Sequence, residues 1–373
     1  MNSHPCRGVM TENPYSLLKM ENKIIFTNLV GTAIDDLMAS LGNPKAIVLA
    51  DSNTANIVLP LLVNDSQAVA ASPTVTVPAG EEAKSVEQLA DVWRQLIEAG
   101  ATRTSVIINV GGGVVSDLGG FAAATFKRGM RFVNVPTTVL GAVDASFGGK
   151  TGINFNGIKN QIGVFAEPEA TIISSIYFNT LPNEQILSGY AEMIKHGLLD
   201  SSEVLGKLLA FSPVYPQVDT AALLPLIQAS SQVKARVVAE DPHEGGLRKI
   251  LNLGHTAGHA FESLAAKRNS PIPHGYAVAW GLVVALILSH MELGFPSATL
   301  HQLAGYVRAN YGGFQFSCDD YPFLLEAMSQ DKKNASADAI AFTLLEDVGK
   351  PRINRVVAPE RIKAALDIYL DMC

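Results

Sequence analysis

The 373-residue sequence is poor in cysteine, and this scarcity bears on where the protein works. Its three cysteines, Cys6, Cys318 and Cys373, are widely separated and lack the paired spacing of a zinc ribbon or a disulfide framework. Such cysteine usage is typical of cytoplasmic proteins. The polar segment at residues 1–19 has no apolar core of the length that a secretory signal needs, so we expect a polar lead-in there.

Long apolar runs and an excess of positive charge are also missing. The longest apolar run, at residues 275–289, is shorter than the roughly 20 residues of a membrane span, so we expect a buried helix. A net charge of −7 argues against nucleic acid or an anionic membrane as the main partner, although a local pocket can still bind small anions. With 48% hydrophobic residues, the chain has enough apolar side chains for the cores of two domains.

Short β-branched segments alternate with helical patterns in the first half of the chain. The segments "KAIVLA", "TVTVP", "SVIINVGGG", "FVNVPTT" and "ATIIS" predict a mostly parallel, Rossmann-like sheet covered by helices. From about Pro182 onward, long helical patterns replace them. We therefore expect an α/β domain at residues 1–181 and a mostly α-helical domain at residues 182–373, with the active site in the cleft between them.

A glycine-rich turn follows the apolar strand in "VIINVGGGVVSDLGG". Glycines there let a phosphate approach the backbone, and the start of the next helix attracts negative charge. The segment departs from the dinucleotide fingerprint because Ser116 replaces its third glycine, and a tight turn packed against the sheet remains the alternative. Other polar residues follow neighbouring strands and belong to the same carboxyl edge, namely Asp51, Asn53, Glu81 and Lys84.

Two histidines stand four residues apart in "LNLGHTAGHAFE", at residues 251–262. On a helix, His255 and His259 share one face, and Glu262 follows one turn later. They are either metal ligands or partly buried histidines that bond to nearby carbonyl groups, since the glutamate of an H-E-x-x-H site is missing.

The segment "FKRGMRFVNVPTTVLGAVDASFGGKTGINFNGIKNQIGVF" is dense in polar and basic residues. Its Arg128, Lys150, Lys159 and Asn160 are suited to a phosphate group, and Asp144 to a hydroxyl group. Scattered surface charge is the alternative explanation.

Eight segments together are more specific than any one of them. In order, "GGGVVSDLGG", "FKRG", "VPTT", "VDASFGGKTGIN", "KNQIG", "GYAEMIKHG", "GLRKILNLGHTAGHAFE" and "HGYAVAWG" resemble the 3-dehydroquinate synthase family. The resemblance runs from about Asp51 to Lys333 and covers most of the chain.

The resemblance implies a role for individual residues. It places a zinc or cobalt ion on Glu192, His255 and His274, with His259 facing the substrate instead of the metal. The family's NAD contacts fall on Asp51, Asn53, Glu81, Lys84, Gly112, Gly113, Asp117, Thr137, Thr138, Lys150, Lys159 and Thr180. Its substrate contacts fall on Arg128, Asp144, Lys150, Asn160, Lys195, Lys234, Arg248, Asn252, His259 and one of the pair Lys332 and Lys333, with Lys333 preferred.

The implied activity is the conversion of 3-deoxy-D-arabino-heptulosonate 7-phosphate to 3-dehydroquinate and phosphate in the shikimate pathway. NAD takes a hydride and returns it, so no NADH accumulates. The resemblance also implies a homodimer in which Arg128 reaches the phosphate site of the neighbouring subunit.

Three rival functions remain. Another sugar-phosphate cyclase, of the amino-dehydroquinate synthase, 2-epi-5-epi-valiolone synthase or 2-deoxy-scyllo-inosose synthase type, would share the cofactors. A metal-dependent polyol dehydrogenase would produce NADH, and a silent binding protein would release no phosphate. The chain departs from the family pattern at Ser116, at Tyr276 and in "DPHE" at residues 241–244, and Tyr276 leaves the orientation of His274 undetermined.

Overall fold

The structure, a computed structural model, describes residues 24–214, 218–242, 244–330 and 340–373. The predicted N-terminal lead-in with Cys6 and the lysines Lys332 and Lys333 lie outside the described residues.

Strands occur in both halves of the described chain. They are β1 (Ile24–Phe26), β2 (Ala46–Asp51), β3 (Thr74–Val77), β4 (Val106–Gly111), β5 (Arg131–Pro136), β6 (Lys150–Phe155), β7 (Ile158–Phe165), β8 (Ala170–Ile173), β9 (Ile340–Asp347) and β10 (Lys350–Val357).

The α-helices precede, connect and follow these strands. They are α1 (Val30–Ser40), α2 (Ser52–Ile57), α3 (Leu59–Asp65), α4 (Gln67–Ala70), α5 (Val86–Glu98), α6 (Gly113–Thr125), α7 (Asn183–Asp200), α8 (Ser202–Ala210), α9 (Thr220–Glu240), α10 (His255–Lys267), α11 (His274–Leu293), α12 (Ser297–Tyr311), α13 (Tyr321–Ser329) and α14 (Pro359–Met372).

The largest sheet is parallel, with the strand order β1-β8-β5-β4-β2-β3. Every residue of the central strand β4 is buried because helices cover both faces of the sheet. Ile108 packs with α1, α3 and α4, whereas its neighbour Ile107 packs with α5 and α6. This alternation of successive side chains is the ordinary pleat of a strand, and the predicted α/β architecture is confirmed.

Helix α11 is the centre of the second half. By length and composition it could cross a membrane, but 72% of its most apolar window is buried inside the protein, as in a core helix. Its side chains share one hydrophobic core with α7, α10, α12, α14 and strand β9. The mostly helical second half and the buried helix are therefore confirmed, while the boundary at residues 181 and 182 stays a prediction.

Two antiparallel hairpins were not predicted. Strands β9 and β10 form one hairpin, within the helical half. Strands β6 and β7 form the other, in the part of the chain that connects β5 to β8. All eight residues of β7 are exposed, so its sequence lacks the apolar alternation of a half-buried strand.

Candidate functional site

The predicted cofactor residues gather at the carboxyl edge of the parallel sheet. Asp51 ends β2, and Gly112 and Gly113 follow β4. Lys84 follows β3 in a short helical turn, while Thr137 and Thr138 follow β5. Because these strands are parallel and adjacent, their ends meet at one edge, as expected.

Asp51 has a structural role at this edge. Its Oδ1 accepts hydrogen bonds from the backbone N–H groups of Asn53 (2.8 Å) and Thr54 (3.0 Å), so it caps α2. The glycine turn is also tightly packed, since a Cβ on Gly113 would lie 2.9 Å from the Cβ of Ala145. Gly112 has no side chain to cap α6, so the first N–H groups of that helix remain suited to an anion.

Lys84 is the charged centre of the same edge. Its side chain is only 4% exposed, and Nζ lies 2.7 Å from Asp117 Oδ2 and also contacts Asn160 Oδ1. Burial raises the pKa of Asp117 although Lys84 acts in the opposite direction.

Asn154 is a residue of this edge that the sequence analysis missed. Its Nδ2 donates to Glu81 Oε1 (2.8 Å), its Oδ1 accepts from the Asn160 N–H (2.9 Å), and its N–H donates to the Lys84 carbonyl (2.8 Å). The sequence feature that could have identified Asn154 is its position in "GGKTGIN", the segment that also contains the predicted residue Lys150. The β6–β7 hairpin is thereby joined to the predicted NAD residues.

The predicted metal ligands converge from three helices. Glu192 lies on α7, His255 begins α10 and His274 begins α11. The Nε2 atoms of both histidines lie 3.4 Å from Glu192 Oε1, and one ligand atom from each of the three residues lies within 4.8 Å of the others. One carboxylate and two imidazoles are the ligand set of a catalytic zinc site with an open position.

Glycines allow the three helices to approach so closely. A Cβ on Gly275 would lie 1.8 Å from the Ser188 carbonyl oxygen of α7, and one on Gly281 would lie 2.0 Å from the Gly254 carbonyl oxygen. A Cβ on Gly258 would meet the Ala277 carbonyl oxygen at 2.9 Å. The glycines in "LNLGHTAGHAFE" therefore serve helix packing, which brings the predicted ligands together.

The negative charge of Glu192 is strongly stabilised by the groups around it. Glu192 is fully buried, and within the described residues neither of its carboxylate oxygens receives a well-directed hydrogen bond. It forms an ion pair with Lys195, one helical turn away. Burial raises the pKa of Glu192, but Lys195 and the two histidines outweigh burial and hold that pKa well below its usual range.

The two histidines predicted as metal ligands differ in their pKa values. Burial lowers the pKa of His255 to about 4. Burial also acts to lower the pKa of His274, but Glu192 and Glu262 outweigh it and raise that pKa to about 10. In the metal-free protein, the His274 proton therefore supplies the positive charge between the two carboxylates.

His259 lies beside this centre. Its ring centroid is 5.3 Å from that of His255 and 6.0 Å from that of His274, so the helical face predicted for the two α10 histidines is confirmed. Together with Glu262 and His274, His259 forms a second group that could hold a metal ion. Its exclusion from the metal site stays a prediction.

The predicted substrate residues form a third set of charge pairs. Lys234 is 6% exposed and lies 2.7 Å from Asp144 Oδ1, so it is a buried, paired lysine. Arg248 is 3% exposed and donates to the carbonyl groups of Pro242 (2.6 Å) and Gly148 (2.9 Å).

Glu244, which was not selected from the sequence, connects two further members of this set. It forms an ion pair with Lys150 and accepts a hydrogen bond from Asn252 Nδ2 (3.3 Å). Its signal was its position at the end of "DPHE", near Arg248.

Four predicted residues are exposed and belong to none of the ion pairs among the described residues, namely Asn53, Arg128, Asn160 and Thr180, although Asn160 Oδ1 contacts Lys84. Thr180 donates to the Tyr177 carbonyl (2.7 Å). Arg128 lies between α6 and β5, as predicted, and both it (φ 67°) and Lys127 (φ 50°) have left-handed backbone. Such strain in residues other than glycine is typical of functional segments.

Comparison with known proteins identifies a family for both halves. A family model described as 3-dehydroquinate synthase N-terminal matches residues 74–188, and one described as 3-dehydroquinate synthase C-terminal matches residues 189–334. A 3-dehydroquinate synthase of Parabacteroides distasonis is 45% identical over 352 residues, covering 94% of this chain and 98% of the relative. One of Leptospira interrogans is 41% identical over 294 residues, covering 79% and 80%.

Solved structures share the fold at lower identity. A 2-deoxy-scyllo-inosose synthase complexed with carbaglucose-6-phosphate, NAD⁺ and Co²⁺ superposes with a TM-score of 0.77 at 24% identity, over 92% of this chain and 95% of the other. A 2-epi-5-epi-valiolone synthase from Streptomyces hygroscopicus with NAD⁺ and Zn²⁺ bound has a TM-score of 0.79 at 20% identity, over 100% of both chains. At these identities the likeness is one of fold.

Proposed function

Because the chain belongs to the 3-dehydroquinate synthase family, we propose that it converts 3-deoxy-D-arabino-heptulosonate 7-phosphate to 3-dehydroquinate and phosphate, with NAD and a divalent metal ion. One observation carries the proposal. The metal-type ligands Glu192, His255 and His274 lie beside the buried cation Lys195, in the half of the chain that also supplies Lys234 and Arg248.

The residues present fit a divalent ion. Glu192 is fully buried and ion-paired with Lys195, and one ligand atom from each of Glu192, His255 and His274 lies within 4.8 Å of the others, which is a donor set that suits a divalent ion. Glu192, His255 and His274 would hold zinc or cobalt, which supplies a Lewis acid that polarises a substrate hydroxyl or carbonyl group. That the two cyclases of the same fold contain Co²⁺ and Zn²⁺ supports this assignment.

The carboxyl edge of the sheet fits a dinucleotide. The uncapped start of α6 would bind its pyrophosphate, and at the same edge Glu81 offers an acceptor and Lys84 a donor. NAD supplies a hydride acceptor that later gives the hydride back. The NAD⁺ in both cyclase structures supports the presence of the cofactor.

The chain's own residues bind and orient the substrate. Arg248 has a planar guanidinium that suits a carboxylate, and Lys234 adds charge 2.7 Å from Asp144. Lys195 Nζ offers a hydrogen-bond donor next to the metal ligands. Their fixed positions lower the barrier by orientation and by stabilising charge.

We also propose a homodimer in which Arg128 completes the phosphate site of the partner subunit. Support comes from the exposed, strained backbone at Arg128 and from apolar side chains along β7, where Ile158 is 51% and Phe165 54% exposed. Mixing Arg128→Ala with His255→Ala subunits should restore activity, because one site of each heterodimer then has both groups intact. A verified heterodimer that stays inactive would place Arg128 in its own site.

The primary test is an assay of the purified protein with the heptulosonate phosphate, NAD and a divalent metal. We expect phosphate release with 3-dehydroquinate as product. Turnover of an analogue without the carboxylate, at an equal rate, would favour another sugar-phosphate cyclase. Stoichiometric NADH would favour a polyol dehydrogenase, and no phosphate release would favour a silent binding protein. The cytoplasmic location stays a prediction.

A further inference from the structure

Glu262 is a partly buried acid that none of the assignments above uses. It lies on α10, two turns after His255, and its side chain is 14% exposed. Its Oε2 lies 3.4 Å from His274 Nδ1, and its Oε1 lies 3.1 Å from Lys159 Nζ. One carboxylate thus contacts a proposed metal ligand and a proposed cofactor residue on the β6–β7 hairpin.

The two ring nitrogens of His274 face different acids. Nε2 points to Glu192, the centre of the ligand group, and Nδ1 points to Glu262. A histidine that binds a metal through Nε2 must carry its proton on Nδ1, and an acceptor there fixes both the tautomer and the ring orientation. Glu262 is positioned to be that acceptor.

Tyr276, the departure from the family pattern, does not take this place. Its ring packs against those of Trp280, at 5.9 Å, and Tyr311, at 5.1 Å, in an aromatic cluster. The orientation of His274, which the sequence left undetermined, is therefore explained by Glu262.

We propose that Glu262 is a positioning residue that orients His274 for the metal through Oε2 and holds Lys159 at the cofactor side through Oε1. The inference rests on the proposed function, because it requires His274 to be a ligand.

The metal arm of the test compares Glu262→Leu, which keeps side-chain bulk without an acceptor, with Glu262→Gln, which keeps one. Zinc affinity is measured by chelator competition. Loss of such an acceptor costs about 10-fold or more in metal affinity, so we expect that loss for Glu262→Leu and an intermediate value for Glu262→Gln. Glu203→Gln, on α8 and paired with Lys207, is the matched control and should bind zinc like the wild type.

Two results of the metal arm would overturn the proposal. The first is wild-type zinc affinity in both Glu262 variants while His274→Ala loses the metal. The proposed metal site would then stand, but it would not depend on Glu262. The second is a wild-type stoichiometry of two zinc ions that falls to one in Glu262→Gln, which makes Glu262 a ligand. If His274→Ala keeps its zinc, the proposed metal site fails and the inference fails with it. Should Glu262→Leu not fold, Glu262→Gln carries the comparison.

The cofactor arm is a double-mutant cycle on NAD affinity, measured by equilibrium binding without substrate. Lys159→Met and Glu262→Leu should each weaken NAD binding, and the double variant should bind no more weakly than Lys159→Met alone, because Glu262 acts through Lys159. Additive losses in the double variant would refute this half of the proposal.

Discussion

The contact between Gly275 and α7 leads to a sharp prediction for Gly275→Ala. An added Cβ would lie 1.8 Å from the Ser188 carbonyl oxygen, whereas real Cβ atoms essentially never come within 3.0 Å. The α7 and α11 backbones must therefore separate by about 1.2 Å. Ser188 precedes Glu192 by one turn and Gly275 follows His274, so the same shift separates the two ligands.

The expected effect on the metal is large because ligand distances tolerate only about 0.2 Å. A misplacement of about 1 Å can cost about 100-fold in turnover, and overpacking a core costs about 1–3 kcal/mol of unfolding free energy. We expect Gly275→Ala to lose metal affinity and turnover on this scale, with a reduced free energy of unfolding.

The measurements are zinc affinity by chelator competition and unfolding in denaturant. Gly305→Ala in α12 is the matched control, since its Cβ would meet nothing within 4 Å. Replacing a glycine inside a helix should stabilise that control by about 0.5–1 kcal/mol. Wild-type zinc affinity and stability in Gly275→Ala would refute the reasoning that this contact sets the ligand spacing.

Four further predictions concern the site. Alanine at Glu192, His255 or His274 should abolish metal retention, whereas His259→Ala should keep the metal and lose turnover; equal metal loss in the last variant would contradict the ligand assignment. Because the pKa of His274 is raised from 6.5 to about 10, zinc binding near pH 7.5 should release about one proton, measurable by calorimetry in two buffers. The raised pKa of His274 also stabilises the metal-free protein. This stabilisation is complete below about pH 6.5 and is lost as the pH rises through about 10. A free energy of unfolding that does not fall across this window would argue against the raised pKa. Arg248→Ala should impair the natural substrate far more than an analogue without the carboxylate, and equal losses on both would remove that role.

Much of the fold follows from local sequence pattern. The mostly apolar run of β4, interrupted by Asn109, and the amphipathic repeat of α5, which begins after the Ser85 cap, predict a buried parallel strand and a covering helix. The β6–β7 hairpin was missed because exposed β7 and glycine-containing β6 have no strong apolar alternation. Strand β9 is mostly buried, and a short apolar run of this kind does not distinguish a buried strand from a helix.

The sequence by itself determined the element types of the main sheet, the shared strand edge and, through the order of eight motifs, the family. Only the tertiary structure decided which charges pair: Lys84 with Asp117, Lys234 with Asp144, and Glu262 with both His274 and Lys159. These partners come from different elements, and their distances depend on how closely the backbones approach at glycines such as Gly275. A sequence pattern specifies which side of an element is buried. The separation of two buried charges is set instead by the packing between elements. A single added Cβ can change that separation by more than a metal–ligand bond tolerates.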